Sequence, residues 1–299
     1  MCDGDDVDGS TRSHPRIYRL QEVAYNEDKD FVAAGGFGVV YQGRLKRSNE
    51  VVALKVFAKL QNSEVADVMR EAHIMHCLTD CPYIVHFLGL CIESGYYAIV
   101  MEYVEHGDLE NMLLFGVNDH STIKQWSCRV CMALDIAKGM QHLHNLEPPI
   151  IHRDLKTANL LVGQNYCCKI SDFGLAKKLQ ESSTETARVV EGTVAFTAPE
   201  IFSGIVEKDK EMKVDVYSYA MVLWQLKEMK PLYDNLSYAI IRANVMAGQR
   251  PLLSDGYDIE TYKKIIVRCW DRRTDCRLDF DEIVTMLEGI LKQIYSVCL

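Results

Sequence analysis

The spacing of hydrophobic residues changes character about a third of the way along the chain. Between residues 30 and 104, apolar residues come in short runs: DFVAAGGFGVVYQG, VVALKVF and YYAIVMEYV. Short runs rich in Val, Tyr and Phe and bounded by polar or glycine residues are typical of β-strands. One segment inside this region, SEVADVMREAHIMHCL, has a different period, with apolar residues three and four apart at Val65, Val68, Ala72 and Met75. That spacing predicts one amphipathic helix among the strands.

Helical patterns dominate from about Leu109 onward. CRVCMALDIAKGMQHLH places four apolar residues on one helical face: Val130, Leu134, Ala137 and Met140. VDVYSYAMVLWQL is apolar almost all round, which predicts a buried helix. We therefore predict an α+β fold of two lobes with a cleft between them, in which a small β-rich N-lobe with one helix precedes a larger α-helical C-lobe.

Composition narrows the class of protein. The 299 residues are 48% hydrophobic and 25% charged, as in globular proteins that bury a core. A formal charge of −9 argues against nucleic-acid partners, which require phosphate neutralisation by Lys and Arg. The 11 cysteines form no visible disulfide framework, so we expect reduced thiols and a cytoplasmic location. No apolar run approaches about 18 residues, so we predict no membrane insertion. Residues 1–17 are acidic and polar, and we predict a disordered tail there.

The first candidate for chemistry is the glycine-rich stretch AAGGFGVVY, residues 33–41. Closely spaced glycines let backbone N–H groups approach phosphate oxygens, although such a stretch is also compatible with a simple hairpin turn. Lys55 follows within an apolar strand, where a lysine is costly unless it has an anionic partner. Glu71 on the predicted helix can supply that partner. The alternative is a solvent-facing lysine on an edge strand.

Two further segments present polar residues after apolar runs. IIHRDLKTANLLV, residues 150–162, presents Asp154 and Asn159, and CCKISDFGLAKKL presents Asp172. Two carboxylates and an amide oxygen are hard ligands or acceptors that suit Mg²⁺ and a hydroxyl proton. Each motif alone is compatible with a turn, but their occurrence together and in this order favours a phosphate-transfer site.

With these motifs in place, the chain resembles a eukaryotic protein kinase over nearly all of residues 20–295. The resemblance implies a kinase domain at 18–295, with an N-lobe at about 18–103 and a C-lobe at about 104–295. It also implies that Lys55 holds the ATP phosphates and pairs with Glu71. Asp154 would accept the substrate hydroxyl proton, and Lys156 would contact the γ-phosphate. Asn159 and Asp172 would hold Mg²⁺, with Mn²⁺ as a substitute.

The same resemblance implies an ATP site. IVMEYVEHGDL resembles the hinge, with Met101 as gatekeeper and Asp108 reaching the ribose. The implied ATP contacts are Val32, Ala33, Ala34, Gly35, Gly36, Phe37, Gly38, Val40, Ala53, Lys55, Met101, Glu102, Val104, Asp108 and Leu161. Ala33 occupies the first glycine position of the family pattern, which we expect to weaken ATP binding without abolishing it. Three more residues are implied to be structural: a Glu200–Arg277 ion pair, and Asp215 as the anchor of the catalytic loop.

Two residues point to serine or threonine as the phosphate acceptor. Lys156 differs from the Ala or Arg typical of tyrosine-specific kinases, and Thr193 is the Ser/Thr-type residue expected to bridge Asp154 and Lys156. Other segments resemble tyrosine kinases, and this mixture resembles the tyrosine-kinase-like group, which includes the mixed-lineage, receptor-interacting and interleukin-receptor-associated kinases. The alternatives are a dual-specificity kinase and a kinase-fold scaffold that binds partners, for which Ala33 is the only support.

Regulation by phosphorylation is a hypothesis from the segment between Asp172 and Glu200. A phosphate there could pair with Arg153, and the candidate acceptors are Ser182, Ser183, Thr184 and Thr186. The expected partners are ATP, a protein substrate, and either an upstream kinase or a second kinase domain. A CxxC at Cys128 and a cluster around His73 and His86 have metal-ligand residue types, but both lie in segments expected to pack, which favours structural use.

Overall fold

A computed structural model describes residues 15–35, 38–57, 60, 62–93, 95–116, 121–179, 193–204, 206–254 and 260–296. The chain divides into two compact units. The first contains the residues up to Cys77 together with Phe87–Tyr103, and the second contains Leu78–His86 and the residues from Val104 onward. The N-lobe range expected from the sequence, 18–103, includes residues 78–86, which the structure groups with the second unit. One reason is a hydrogen bond from Val85 N to Ile170 O, 2.9 Å long.

The N-terminal unit is built on a seven-stranded sheet with one helix. The strands are β1 (Ile17–Tyr18), β2 (Val23–Ala24), β3 (Phe31–Gly35), β4 (Gly38–Leu45), β5 (Val51–Phe57), β6 (Phe87–Glu93) and β7 (Tyr96–Glu102), and the helix is α1 (Asn62–Cys77). The strand order is β1-β6-β7-β5-β4-β2, and β3 pairs with β4. Among the described strand pairs of this sheet, only β1–β6 is parallel. The predicted strands and the predicted helix are therefore present in this unit.

An N-terminal strap, residues 15–25, helps to form the core of this sheet. Tyr18 and Val23 are buried with apolar residues of β4 to β7 in one cluster. The strap lies close to Gly89, where a Cβ atom would stand 2.3 Å from the carbonyl oxygen of Arg16. The tail predicted to be disordered reached residue 17, whereas Ile17 pairs with Leu90 in the structure. Residues 1–14 lie outside the described part of the chain.

The C-terminal unit is mainly helical. Its helices are α2 (Leu109–Leu114), α3 (Trp126–His144), α4 (Pro199–Ser203), α5 (Lys213–Glu228), α6 (Tyr238–Met246), α7 (Glu260–Cys269) and α8 (Phe280–Ser296). Four short strands, β8 (Ile150–Ile151), β9 (Leu160–Val162), β10 (Cys168–Ile170) and β11 (Lys177–Lys178), form two antiparallel pairs, β9 with β10 and β8 with β11. These pairs carry the loops that contain most of the predicted catalytic residues.

Helix α5 is the buried helix predicted from its sequence. Every residue from Val214 to Lys227 is buried, and Asp215 and Gln225 are among the polar side chains of this run. Apolar residues around the whole circumference explain why the helix is surrounded by other elements. Buried polar side chains must find hydrogen-bond partners, and both of these contact the loop after β8. In the part of the chain that the structure describes, no helix is both long and apolar enough to span a bilayer.

Candidate active site

In the N-terminal unit, Lys55 and Glu71 form an ion pair. Strand β5 carries Lys55, helix α1 carries Glu71, and the Nζ and Oε1 atoms lie 2.7 Å apart. Both residues are buried, with 7% and 3% of their surfaces exposed. A buried ammonium group that hydrogen-bonds to a carboxylate is held in one position. The pairing predicted from the sequence is therefore present, and the edge-strand alternative for Lys55 is wrong.

The glycine-rich stretch lies where β3 turns into β4. Gly35 pairs with Gly38, while Gly36 and Phe37 between them lie outside the described residues. Gly38 has a φ of +146°, and a Cβ atom there would lie 2.8 Å from the carbonyl oxygen of Val56. Position 38 therefore requires glycine. Ala33 pairs with Val40, directly after a register shift between Phe31 and Ala33, and its φ is not positive, so its methyl group is accommodated without a left-handed backbone.

Other predicted ATP contacts of the N-terminal unit lie on neighbouring strands. Ala53 of β5 is directly opposite Met101 of β7, and both are buried. Glu102 follows at the end of β7. Val32 and Ala34 lie on β3 and are exposed, as is Ala33 between them. The predicted gatekeeper Met101 is thus buried in the sheet, directly opposite a residue with a small side chain.

The C-terminal unit contributes the remaining predicted ATP contacts: Val104, Asp108 and Leu161. Asp108 and Leu161 form an antiparallel bridge, and the N–H of His106 donates to the carbonyl of Val162 over 3.0 Å. The Asp108 carboxylate caps α2, because it accepts the backbone N–H of Asn111 at 2.8 Å. It also accepts the Asn111 side-chain amide at 2.6 Å. The side chain predicted to reach the ribose therefore already stabilises a helix N-terminus.

The loop after β8 brings four predicted residues together. The Lys156 ammonium donates to Asp154 Oδ2 at 2.8 Å and to Thr193 Oγ1 at 2.9 Å. Asn159 Nδ2 donates to the same Asp154 oxygen at 2.9 Å and to the Asp154 main-chain carbonyl at 2.8 Å. The sequence predicted Thr193 as the bridging residue, whereas Lys156 stands between Asp154 and Thr193 because its longer side chain reaches both.

One oxygen of Asp154 is left over. Asp154 is 5% exposed, and its Oδ1 atom is buried without a hydrogen-bond partner among the described residues. A buried carboxylate oxygen without a donor is energetically unfavourable, so it is suited to accept a proton from a hydroxyl group that reaches it. Because Oδ2 is held by Lys156 and Asn159, the orientation of Oδ1 is fixed.

Asp215 anchors the start of this loop from α5. Its Oδ2 accepts the backbone N–H of His152 at 2.9 Å, and its Oδ1 accepts that of Arg153 at 2.8 Å. His144 Nε2 lies 2.9 Å from Oδ2. Burial alone would raise the pKa of Asp215, but the hydrogen bond and charge of His144 outweigh it, so the pKa is lowered. The predicted anchoring role is confirmed, and sequence reasoning missed His144, whose place at the end of α3 gave no signal.

Asn159 and Asp172 are neighbours through Ser171. Both the backbone N–H and the hydroxyl of Ser171 donate to the Asn159 carbonyl, each at 2.9 Å. Asp172 follows directly, with a left-handed φ of 62° that is uncommon for a residue with a side chain. The Asn159 amide nitrogen is engaged by Asp154, so its side-chain oxygen remains as an acceptor. An amide oxygen and a carboxylate are ligand types that suit a hard divalent cation.

The other predicted features are located as follows. Arg277 is 2% exposed, and its guanidinium contacts both oxygens of Glu200, with NH2 donating at 2.9 Å. The candidate phosphate acceptors Ser182, Ser183, Thr184 and Thr186 lie outside the described residues. Across the described part of the chain, no group of three or more His, Cys, Asp or Glu side chains could hold a metal ion.

Comparison with known proteins gives consistent matches. The family model described as protein tyrosine and serine/threonine kinase matches residues 27–287. The probable serine/threonine-protein kinase drkD of Dictyostelium discoideum is 34% identical over 262 residues, which are 88% of this chain and 19% of that protein. The human serine/threonine-protein kinase TNNI3K is 31% identical over 279 residues, which are 91% of this chain and 32% of that protein.

A third relative differs in its stated specificity. The dual specificity protein kinase shkA of Dictyostelium discoideum is 35% identical over 263 residues, which are 86% of this chain and 48% of that protein. The chain thus spans between about a fifth and a half of the length of these curated relatives.

Proposed function

Because the chain belongs to the protein tyrosine and serine/threonine kinase family, we propose that it transfers the γ-phosphate of ATP to serine and threonine hydroxyls of protein substrates. The observation that carries the proposal is Asp154, with one oxygen held by Lys156 and Asn159 and the other buried without a hydrogen-bond partner among the described residues. A carboxylate in this state is positioned as a general base.

In the proposed reaction, Asp154 Oδ1 takes the proton of the substrate hydroxyl. The hydroxyl oxygen then forms a bond to the γ-phosphorus, and the bond from that phosphorus to the β–γ bridging oxygen breaks, so ADP leaves with the electron pair. Lys156 lies beside the base and places a positive charge next to the transferring phosphoryl group. Thr193, bound to Lys156 at 2.9 Å, fixes the direction of that ammonium.

Lys55 is proposed to bind the ATP phosphates, with Glu71 holding its ammonium group in place. Asn159 and Asp172 would hold Mg²⁺ or Mn²⁺, and such an ion would neutralise charge on the phosphates. The other proposed ATP contacts are the remaining residues predicted from the sequence. Among these residues, the glycine-rich turn and Ala53 would let the nucleotide approach the backbone closely.

Substitution of Asp154 by Asn tests the proposal. The amide keeps the shape of the side chain and an acceptor for Lys156, but it removes the base, so we expect a loss of about 10²–10⁴ in kcat. Phosphate incorporation from Mg·ATP into a generic basic protein is the measurement, and Asp209→Asn on an exposed turn is the matched control. Equal incorporation by wild type and Asp154→Asn would contradict the proposal and favour the scaffold alternative.

Analysis of the phosphorylated amino acids decides the acceptor. We expect phosphoserine and phosphothreonine, because Lys156 and Thr193 are linked as in the Ser/Thr-type pattern. The relative named as a dual specificity kinase makes phosphotyrosine the alternative result. A product containing mainly phosphotyrosine would overturn the Ser/Thr assignment and leave phosphate transfer intact.

Activation by phosphorylation between residues 172 and 200 is a further part of the proposal. Arg153 precedes Asp154, has a left-handed φ of 67°, and forms no side-chain ion pair within the described ranges. A phosphate on Ser182, Ser183, Thr184 or Thr186, added by an upstream kinase or a second kinase domain, would supply an anionic partner. Phosphopeptide mapping of active protein that finds no modification in this segment would exclude it.

The proposed compartment is the cytoplasm, which supplies ATP and keeps thiols reduced. Nine cysteines in the described part of the chain are free, as expected of a reducing environment. Fractionation of cells that express the tagged chain is the test, and recovery mainly from an oxidising secretory compartment would contradict the proposed location.

A further inference from the structure

Helix α5 contacts the catalytic loop at a second point, ten residues after Asp215. The hydroxyl of Thr157 donates to Gln225 Oε1 at 2.8 Å, and both residues are buried, at 0% and 1% exposure. The Gln225 amide nitrogen faces the main-chain carbonyl of Lys230 at 3.5 Å, which directs Oε1 toward Thr157. Hydrogen bonds between two side chains are a minority in proteins, so a fully buried one suggests that it fixes the position of the segments it joins.

The two contacts of α5 lie on either side of Asp154 and Lys156 along the catalytic loop. Asp215 binds the N–H of Arg153, immediately before Asp154, and Gln225 binds Thr157, immediately after Lys156. The ten helical residues between the anchors span about 15 Å. The four Cα–Cα steps from 153 to 157 reach at most about 14 Å when fully extended. Lys156 is in extended conformation, with φ −156° and ψ 162°. The residues between the anchors, which include Asp154 and Lys156, are therefore held at both ends by one buried helix.

The neutral amide of Gln225 suits the acidic surroundings of the Thr157 hydroxyl. Glu110 of α2 has Oε1 3.5 Å from the Thr157 hydroxyl. Burial and, to a lesser extent, the charge of Asp108 raise the pKa of Glu110. A carboxylate at position 225 would add a further negative charge near this group, whereas the neutral amide accepts the Thr157 hydrogen bond without adding one. The hydroxyl of Thr157 thus lies where α2, α5 and the loop meet.

We infer that Gln225 and Thr157 are positioning residues that fix the distal end of the catalytic loop, and so the orientation of Asp154 and Lys156 toward the reacting groups. The inference rests on the proposed function, because it assigns a kinetic effect to this hydrogen bond. Neither residue needs to touch the substrate: the effect passes through the backbone of a loop that is held at both ends.

Thr157→Val tests the inference, because it keeps the shape of the side chain and removes only the donor. We expect kcat to fall about tenfold, the effect of one buried hydrogen bond, with KM for ATP and for peptide unchanged within about twofold. Hydrogen–deuterium exchange in residues 153–158 should accelerate about tenfold. Thr157→Ser, which restores the hydroxyl, should return kcat to within about threefold of wild type.

Tyr219→Phe is the matched control. Tyr219 is a fully buried residue of the same helix, and its hydroxyl donates to the Ala133 carbonyl at 2.8 Å, away from the loop. Its removal should destabilise the protein to a similar extent while leaving kcat and loop exchange within about twofold of wild type. Equal kcat and equal loop exchange in Thr157→Val and Tyr219→Phe would overturn the inference.

The inference can still be tested if the variant does not fold or if the wild type is inactive. If Thr157→Val does not fold, Gln225→Met removes the acceptor from the helix side, and the same readouts decide. If wild type shows no phosphate transfer, the proposed function fails, and loop exchange alone decides the inference. Faster exchange in Thr157→Val than in Tyr219→Phe then supports the anchor, and equal exchange overturns it.

Discussion

The two units of this protein hold their charged residues in different ways. In the N-terminal unit, Lys55 and Glu71 hold each other through a 2.7 Å contact between a strand and a helix. In the C-terminal unit, the loop that carries Asp154 is fixed through its backbone by Asp215 of a buried helix. The first arrangement depends on two side chains, and the second depends on the Asp215 carboxylate and on main-chain N–H groups that only a substitution by proline would remove from the loop.

Because of this difference, we expect some substitutions to lower activity alone and others to lower both activity and stability. An ion pair between two side chains can be replaced by apolar residues with little loss of stability, although its chemistry is then lost. A buried carboxylate that accepts backbone N–H groups cannot be replaced in this way, because the backbone donors remain after the substitution. The predictions below follow from this contrast, in order of decreasing effect.

The largest expected effect is that of Asp215→Ala. The substitution leaves the N–H groups of His152 and Arg153 buried without acceptors, and each should cost about 1–3 kcal/mol. We expect the free energy of unfolding to fall by about 3–5 kcal/mol, measured by urea denaturation, with transfer activity lost. Asp209→Ala on an exposed turn is the control. A loss no larger than that of the control would show that the loop does not depend on α5.

The Lys55–Glu71 pair should behave differently. Lys55→Met alone leaves Glu71 buried without its partner, which should cost about 3 kcal/mol of unfolding free energy. The double variant Lys55→Met/Glu71→Leu removes both charges, so its stability should return to within about 1 kcal/mol of wild type. Phosphate transfer should remain below detection in both variants.

Urea denaturation and the transfer assay together check this prediction. Recovery of stability without recovery of activity is the expected combination. A double variant as unstable as Lys55→Met would show that the pair holds the N-terminal unit together and would remove the contrast with Asp215.

Asp135 of α3 tests the contrast inside the C-terminal unit. It accepts one backbone N–H, from Cys168 at 3.1 Å, whereas Asp215 accepts two and also contacts His144. Burial raises the pKa of Asp135 from 3.8 to about 6, against the opposing effects of Cys168 and Lys138. Between about pH 4 and 6 the folded state keeps a proton that the unfolded state releases, so this group's contribution to stability falls as pH rises.

Asp135→Asn should remove that dependence, since the amide oxygen still accepts the Cys168 N–H. At pH 7.5 we expect the variant to be about 2 kcal/mol more stable than wild type, and at pH 4 the two should be equal. Unfolding free energies at the two pH values are the measurement. A stability difference that does not change with pH would contradict the raised pKa.

The sequence predicted contacts correctly where a residue would be energetically unfavourable without a partner or without burial. A lysine in an apolar strand indicated an acidic neighbour, and the mostly apolar surface of α5 indicated burial. The contacts of short or isolated elements could not be predicted in this way. Strands β1 and β2 have two residues each, too few for any period, and so the strap over the sheet was not foreseen. Thr157 and Gln225 gave no signal because each is an ordinary polar residue within its own segment.

The geometry within the catalytic loop was only partly predictable. That Lys156 and Thr193 are linked followed from the resemblance, but which residue bridges the others depends on side-chain reach, which a sequence does not specify. The left-handed conformations of Arg153 and Asp172 have the same origin, because packing and hydrogen bonds around them impose a backbone that neither residue type prefers.

The smallest effect concerns the glycine-rich turn. The sequence motif draws attention to Ala33, whereas the structure indicates that Gly38 is the more sensitive position. Gly38→Ala adds a Cβ atom 2.8 Å from the Val56 carbonyl at a φ of +146°, so the turn must shift, and we expect KM for ATP to rise about tenfold. Ala33→Gly restores the family pattern, but Ala33 already pairs with Val40 in the sheet, so KM should change less than twofold. Steady-state kinetics with varied ATP is the measurement. A fivefold decrease in KM for Ala33→Gly would show that the alanine methyl limits nucleotide binding, and that the departure in the sequence motif matters more than its place in the sheet indicates.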